Sequence, residues 1–194
     1  MADIKINEKL VVSQTVTAEP VLASNVDLSS ATGIPAAGIT GTLGSGITFP
    51  AGHVIQVVEG THATEQTTTS TSFVDTTIDV TITPSSASSK ILVIASTHTH
   101  INGGAPHVGY YTIYRDSTNL GSGAGFASVW HGHPATGNND DNLATHVCFQ
   151  KLDSPNTTSP VEYSIYVKSN NTSYTCYWSM NGSTSVITAM EISG

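Results

Sequence analysis

Ser72-Phe73-Val74-Asp75-Thr76-Thr77-Ile78-Asp79-Val80-Thr81-Ile82-Thr83 is the stretch that decides the fold. Ile78, Val80 and Ile82 fall on one side of an extended chain, with Asp79, Thr81 and Thr83 on the other. That is the period of a half-buried strand. Pro84-Ser85-Ser86-Ala87-Ser88-Ser89 reads as a turn. Lys90-Ile91-Leu92-Val93-Ile94-Ala95-Ser96-Thr97-His98-Thr99-His100-Ile101 starts apolar on both faces, which predicts a central strand.

The same alternation continues downstream. Strands are expected over 108–115, 126–130, 145–152, 161–168, 174–180 and 185–192, with turn residues such as Asp116-Ser117-Thr118-Asn119 and Asn181-Gly182 between them. Upstream, 53–59 is a further strand, and the Thr-rich segment 60–71 reads as a long loop. Short strands at this spacing predict an all-β antiparallel β-sandwich. The long connections at 60–71 and 131–142 favour Greek-key or jelly-roll wiring over a plain meander.

Residues 27–52 break the pattern. Six glycines and two prolines exclude a regular helix, while Ile34, Ile39, Leu43, Ile47 and Phe49 recur singly among small polar residues. One chain cannot easily bury such isolated side chains. Several copies wound about a common axis can, since each residue then meets its symmetry mates. A flexible linker is the alternative, but linkers rarely repeat an apolar residue every four or five positions. Residues 1–26 are thinly apolar and read as an extended arm that needs a partner surface to become ordered. The expected organisation is an arm (1–26), an intertwined Gly-rich neck (27–52) and a β-sandwich head (53–194).

Composition excludes several functions. Charged residues make up 10% of the chain and the net charge is -8, with six scattered Lys and Arg. No basic stripe follows a phosphate backbone, so nucleic acid is not an expected partner. The N-terminus has no apolar signal core, and the longest apolar run, Ile91 to Ala95, is too short for membrane insertion. The chain is therefore expected to be made and assembled in a cytoplasm. Cys148 and Cys176 fall in strand-like segments and read as buried reduced thiols.

No nucleophile elbow, P-loop or HExxH occurs, and Asp75 with Asp79 is a common surface pattern, so the chain is not expected to be an enzyme. Most head aromatics are expected in the core. Trp130 stands apart, because it adjoins His131-Gly132-His133 and a polar loop containing Asp140 and Asp141. An exposed indole beside polar side chains can grip a sugar ring. Trp130, His131, His133, Asp140 and Asp141 are thus the candidate receptor contacts. His98-Thr99-His100 would place two imidazoles on one strand face. The plain reading is a polar strand end; the sharper one is a metal pair.

Asn25-Val26-Asp27-Leu28-Ser29-Ser30-Ala31-Thr32-Gly33-Ile34-Pro35, followed by Gly38-Ile39-Thr40-Gly41-Thr42-Leu43, resembles the shaft or neck repeats of bacteriophage tail-fibre proteins. The head resembles cyanophage-like virion appendage proteins. The matching phrases are Phe49 to Val58, Ile82 to Val93, Tyr114-Arg115-Asp116-Ser117, Leu152-Asp153-Ser154-Pro155 and Ile187 to Ile192. The resemblance implies a homotrimeric virion structural protein, localised to the virion. Residues 1–26 would dock on other virion proteins, and the head would contact a host-surface glycan or protein. In such a trimer, three copies of His98 and His100 could offer six nitrogens to one transition metal on the axis. A capsid decoration or cement protein is the alternative role. A host-glycan depolymerase is the third, and lacks both a long β-helix and a convincing carboxylate pair.

Overall fold

Extended backbone follows directly from the alternation, and the computed structural model places strands in nearly every alternating stretch. It describes residues 4–6, 9–13, 21–22, 50–102, 106–131 and 143–194. The chain forms two compact units, 1–47 and 48–194. In the first, β1 (Ile4–Ile6), β2 (Lys9–Ser13) and β3 (Val21–Leu22) form a three-stranded antiparallel sheet in the order β1-β2-β3. Ile34, Ile39, Leu43, Ile47 and Phe49 lie outside the described residues.

The second unit contains β4 (Val54–His62), β5 (Gln66–Thr68), β6 (Val74–Ile82), β7 (Lys90–Asn102), β8 (His107–Arg115) and β9 (Thr118–Asn119). It continues with β10 (Ala127–His131), β11 (Leu143–Asp153), β12 (Val161–Ser169), β13 (Thr175–Trp178) and β14 (Ser185–Ile192). All pairings are antiparallel. Sheet I runs β4-β14-β7, with β11 on the far side of β7, and β13 then β5 beside the distal half of β7. Sheet II runs β10-β8-β12-β6, with β9 on β8. The segment 60–71, expected as a loop, contains the end of β4 and all of β5. Gln66-Thr67-Thr68 has no apolar residue, so periodicity could not reveal it; backbone pairing with β13 holds it.

Parity decides what is buried. Ile91, Val93, Ala95, Thr97, Thr99 and Ile101 of β7 point inward, as do Ile78, Val80 and Ile82 of β6, Tyr111 and Ile113 of β8, and Tyr163, Ile165 and Val167 of β12. Side chains from both sheets form one core. Each fully buried Ile or Val contributes about 1.5–3 kcal/mol, so this shared core, rather than any surface bond, holds the sheets together. β7 is central, flanked by β11 on one side and by β14 and β13 end to end on the other. The corner between β13 and β14 turns at Ser179 (φ 49°) and Asn181 (φ 55°) through one 3-10 turn, so the expected strand over 174–180 ends at Trp178. Gly60 sits where β4 meets β6; a Cβ there would run into the Asp79 carbonyl, so only glycine permits this approach.

Three polar pins tie the layers. Arg115 Nη1 donates to Asp153 at 2.9 and 3.2 Å, and Tyr163 Oη donates to the same carboxylate at 2.8 Å, joining β8 and β12 to β11. Burial and this bond to Asp153 push the Tyr163 hydroxyl well above its ordinary range. Trp178 Nε1 donates to the Thr76 carbonyl at 3.1 Å. A register shift between β6 and β12 lies at Thr76–Ile78, opposite Ile165. Glu191, fully buried, accepts from Gln56 Nε2 (2.6 Å), Ser85 N (2.7 Å) and Ser85 Oγ (2.6 Å). Burial alone would raise its carboxyl; the bonds from Ser85, Gln56 and Ser89 outweigh burial and hold it below the usual value.

Candidate ligand-binding face

The residues that alternate with a core must face outward, and on sheet II many of these are aromatic. Tyr110, Thr112 and Tyr114 alternate with buried Tyr111 and Ile113 on β8. Tyr166 and Lys168 do the same on β12, and Ser128 and Trp130 on β10. Tyr114 and Tyr166 stack with ring centres 3.8 Å apart, and Phe73 meets Tyr114 edge-on at 6.3 Å. Burial and then the nearby Asp75 raise the Tyr166 hydroxyl above its ordinary value, so it stays a neutral donor. Lys168 Nζ lies 4.6 Å from the centre of the Phe73 ring and 5.2 Å from that of Tyr110, close enough for cation–π attraction.

Beside Tyr110 and Lys168 lies a cleft of about 280 Å³ that also takes in Thr71, Gly123 and Asn170. Its walls are fixed by local bonds. Lys168 Nζ donates to the Gly123 carbonyl at 2.6 Å. Asn170 accepts from Val108 N at 3.0 Å through its side chain, and its own N donates to the Val108 carbonyl at 2.9 Å. The loop over Gly121 and Gly125 is drawn onto β8 by Asn119, whose Oδ1 accepts from Thr112 Oγ1 (2.7 Å) and Gly121 N (2.9 Å). Gly125, at φ +73°, leaves no room for a Cβ against the Tyr111 carbonyl. Trp130, 66% exposed, stands on the edge strand β10 opposite Val108, on the same face as the cleft. Asp75, Asp79 and Glu162 are exposed on this face, which makes it acidic apart from Lys168.

Of the residues expected at a receptor site, Trp130 is exposed as anticipated. His131 ends β10 opposite His107, and His133, Asp140 and Asp141 lie outside the described residues. Composition alone leaves each head aromatic open to core or platform, with most expected in the core; Tyr110, Tyr114 and Tyr166 face outward. The signal was in the sequence, since Tyr111 and Ile113 already occupy the inward parity of β8.

His98 and His100 share the outer face of sheet I. The His98 ring stacks on His146 of β11 at 5.4 Å and 13°, and His100 packs on Tyr177 at 5.1 Å. His100 is 7% exposed and its Nε2 has no hydrogen-bond partner. Among the described residues no three His, Cys, Asp or Glu side chains are grouped to hold a metal. Cys176 is buried and burial pushes its thiol up to about 11, whereas Cys148, expected in the core, is exposed because it falls on the outer parity of β11.

No family model matches this chain, and no curated protein matches it.

Proposed function

We propose that this chain is a bacteriophage virion structural protein, a tail-fibre or tail-tip component whose head attaches to the host surface by gripping a glycan. The observation that carries the reading is the outward aromatic platform of sheet II, with Trp130 at its edge and the Tyr110–Lys168 cleft beside it. Aromatic faces beside polar donors suit the apolar faces and hydroxyls of sugar rings. The strand order supports a jelly-roll head. Leaving out the short β5, β9 and β13, the eight long strands run first-eighth-third-sixth in one sheet and fifth-fourth-seventh-second in the other. In this reading the head belongs to a homotrimer. Residues 27–52 form its neck and residues 1–26 hold other virion proteins, with no catalysis by the chain itself.

Two measurements test this. Fluorescent head protein should label host cells, and Trp130→Ala should weaken labelling about tenfold, roughly 1.4 kcal/mol, with an unchanged unfolding midpoint. Undiminished labelling by the variant removes the platform from the mechanism. Counting copies in purified virions separates a tail position, a handful of trimers, from a capsid decoration role, which requires hundreds.

A further inference from the structure

The outer face of sheet I has a different chemistry from that of sheet II. Cross-strand register lines up Leu152, Leu92, Met190 and Val57 in one row across β11, β7, β14 and β4. Ile94 and Val186 lie in the rows beyond, and Ile192 with Val54 extends the apolar surface at the near end. Val54 and Val57 are each 55% exposed and Leu152 is 48% exposed; among the described residues the only other large apolar side chain so exposed is Trp130. Contiguous apolar surface of this kind marks a contact site.

Its charge identifies the occupant. In a chain of net charge -8, the outward positions of the described strands on this face carry one acid, Glu59 on β4, and one base, Lys90 at the start of β7. The remaining outward positions of these strands are apolar or uncharged polar residues and the imidazoles of His98, His100 and His146. An acidic or basic partner would find nothing to match. A second copy would, since each brings one charge of each sign and a neutral, apolar middle. Size agrees: four strands about 4.8 Å apart along a 13-residue β7 at about 3.3 Å per residue span roughly 800 Å², the usual area per partner of a stable interface.

We propose that the outer face of sheet I is a contact surface between copies of this chain, with the Leu152–Leu92–Met190–Val57 row seated against a neighbouring copy. The contact lies in the second unit and is separate from the neck; it shares with the proposed function the premise of self-assembly. Sheet II takes no part in this contact.

Cys148 reports on the contact without any change to the protein. It is an exposed thiol on this face, two positions along β11 from His146, and Cys176 is a buried internal control. The full-length chain is sized by light scattering and labelled under native conditions with a maleimide, and the labelled cysteine is identified by peptide mapping. In the assembled wild-type protein Cys148 should react at least about tenfold more slowly than in a Val57→Lys/Leu152→Lys variant, because access governs thiol reactivity. Near-UV circular dichroism establishes that the variant is folded; if it is not, the wild-type rate against a denatured control decides alone. Fast labelling of Cys148 in a wild-type oligomer overturns the interface while leaving the neck-based trimer standing. A monomeric wild-type chain with a reactive Cys148 overturns both. Protection in a monomer means that the chain's own remaining residues cover the face, and overturns the proposal. Equal protection in wild type and variant overturns it as well.

Discussion

The two outer faces belong to sheets that share one core, yet they carry opposite chemistry. Sheet II presents Tyr110, Tyr114, Tyr166 and Trp130 with carboxylates and one lysine above a cleft. Sheet I presents Leu152, Leu92, Met190 and Val57 with almost no charge. Rings with polar edges suit a hydrated ligand that comes and goes. A flat aliphatic row suits another protein surface. The difference shows what parity separates: inward positions of both sheets feed one shared core, while the outward positions carry the contrast.

The largest effect should break both faces together. Asp153→Ala removes the acceptor shared by Arg115 and Tyr163, leaving the partly exposed guanidinium unpaired and the buried Tyr163 hydroxyl without its acceptor. Leaving a buried hydrogen-bonding group unsatisfied costs about 1–3 kcal/mol, so urea unfolding should show that loss, together with reduced cell labelling and faster Cys148 reaction. Loss at only one face would mean that the faces do not depend on this pin.

Acid should separate the sheets. Glu191 belongs to sheet I and its folded carboxyl lies below the ordinary 4.5. Its stabilisation is therefore complete above that pH and is lost as pH falls through the folded value. Hydrogen exchange should show β4 and β14 opening before β8 and β12 as pH drops below 4.5, and Glu191→Gln should remove the difference between the sheets. Simultaneous opening would mean that Glu191 is not the weak point.

Two milder substitutions sharpen the contrast. Tyr110→Ser, at the cleft, should reduce host-cell labelling severalfold and leave Cys148 reactivity alone. Val57→Thr should do the reverse, raising Cys148 reactivity slightly while shifting unfolding by no more than about 0.5 kcal/mol, as expected of an exposed position. Any crossover between the two readouts would show that the faces communicate.

Much of the two-sheet body is legible in the chain because burial on one face imposes a period of two. Ile78, Val80 and Ile82 announce β6, and the doubly apolar start of β7 announces its central place. β5 is invisible because its side chains are polar and its pairing is made by the backbone. The exposed state of Cys148 follows from parity, since Val147 and Phe149 take the inward positions of β11, and composition alone does not encode it. Trp130 is marked in the sequence by its polar neighbours His131-Gly132-His133. The tyrosines beside it are not singled out by aromatic content, which suits core and platform alike; the parity of β8 and β12 separates them. The stacking of His98 on His146 joins residues far apart in sequence, and only strand pairing brings them together.

β8 shows where this leads. Along Tyr110-Tyr111-Thr112-Ile113-Tyr114, alternate letters answer to different masters: Tyr111 and Ile113 to the interior, Tyr110 and Tyr114 to whatever arrives from outside. In the proposed role, binding specificity would therefore be rewritten at every second residue while the letters between are left untouched. With sheet II as the proposed binding face, a library randomised at positions 110, 114, 128, 130 and 166 would alter what is recognised and still return the same scaffold, because the inward letters of each strand are kept.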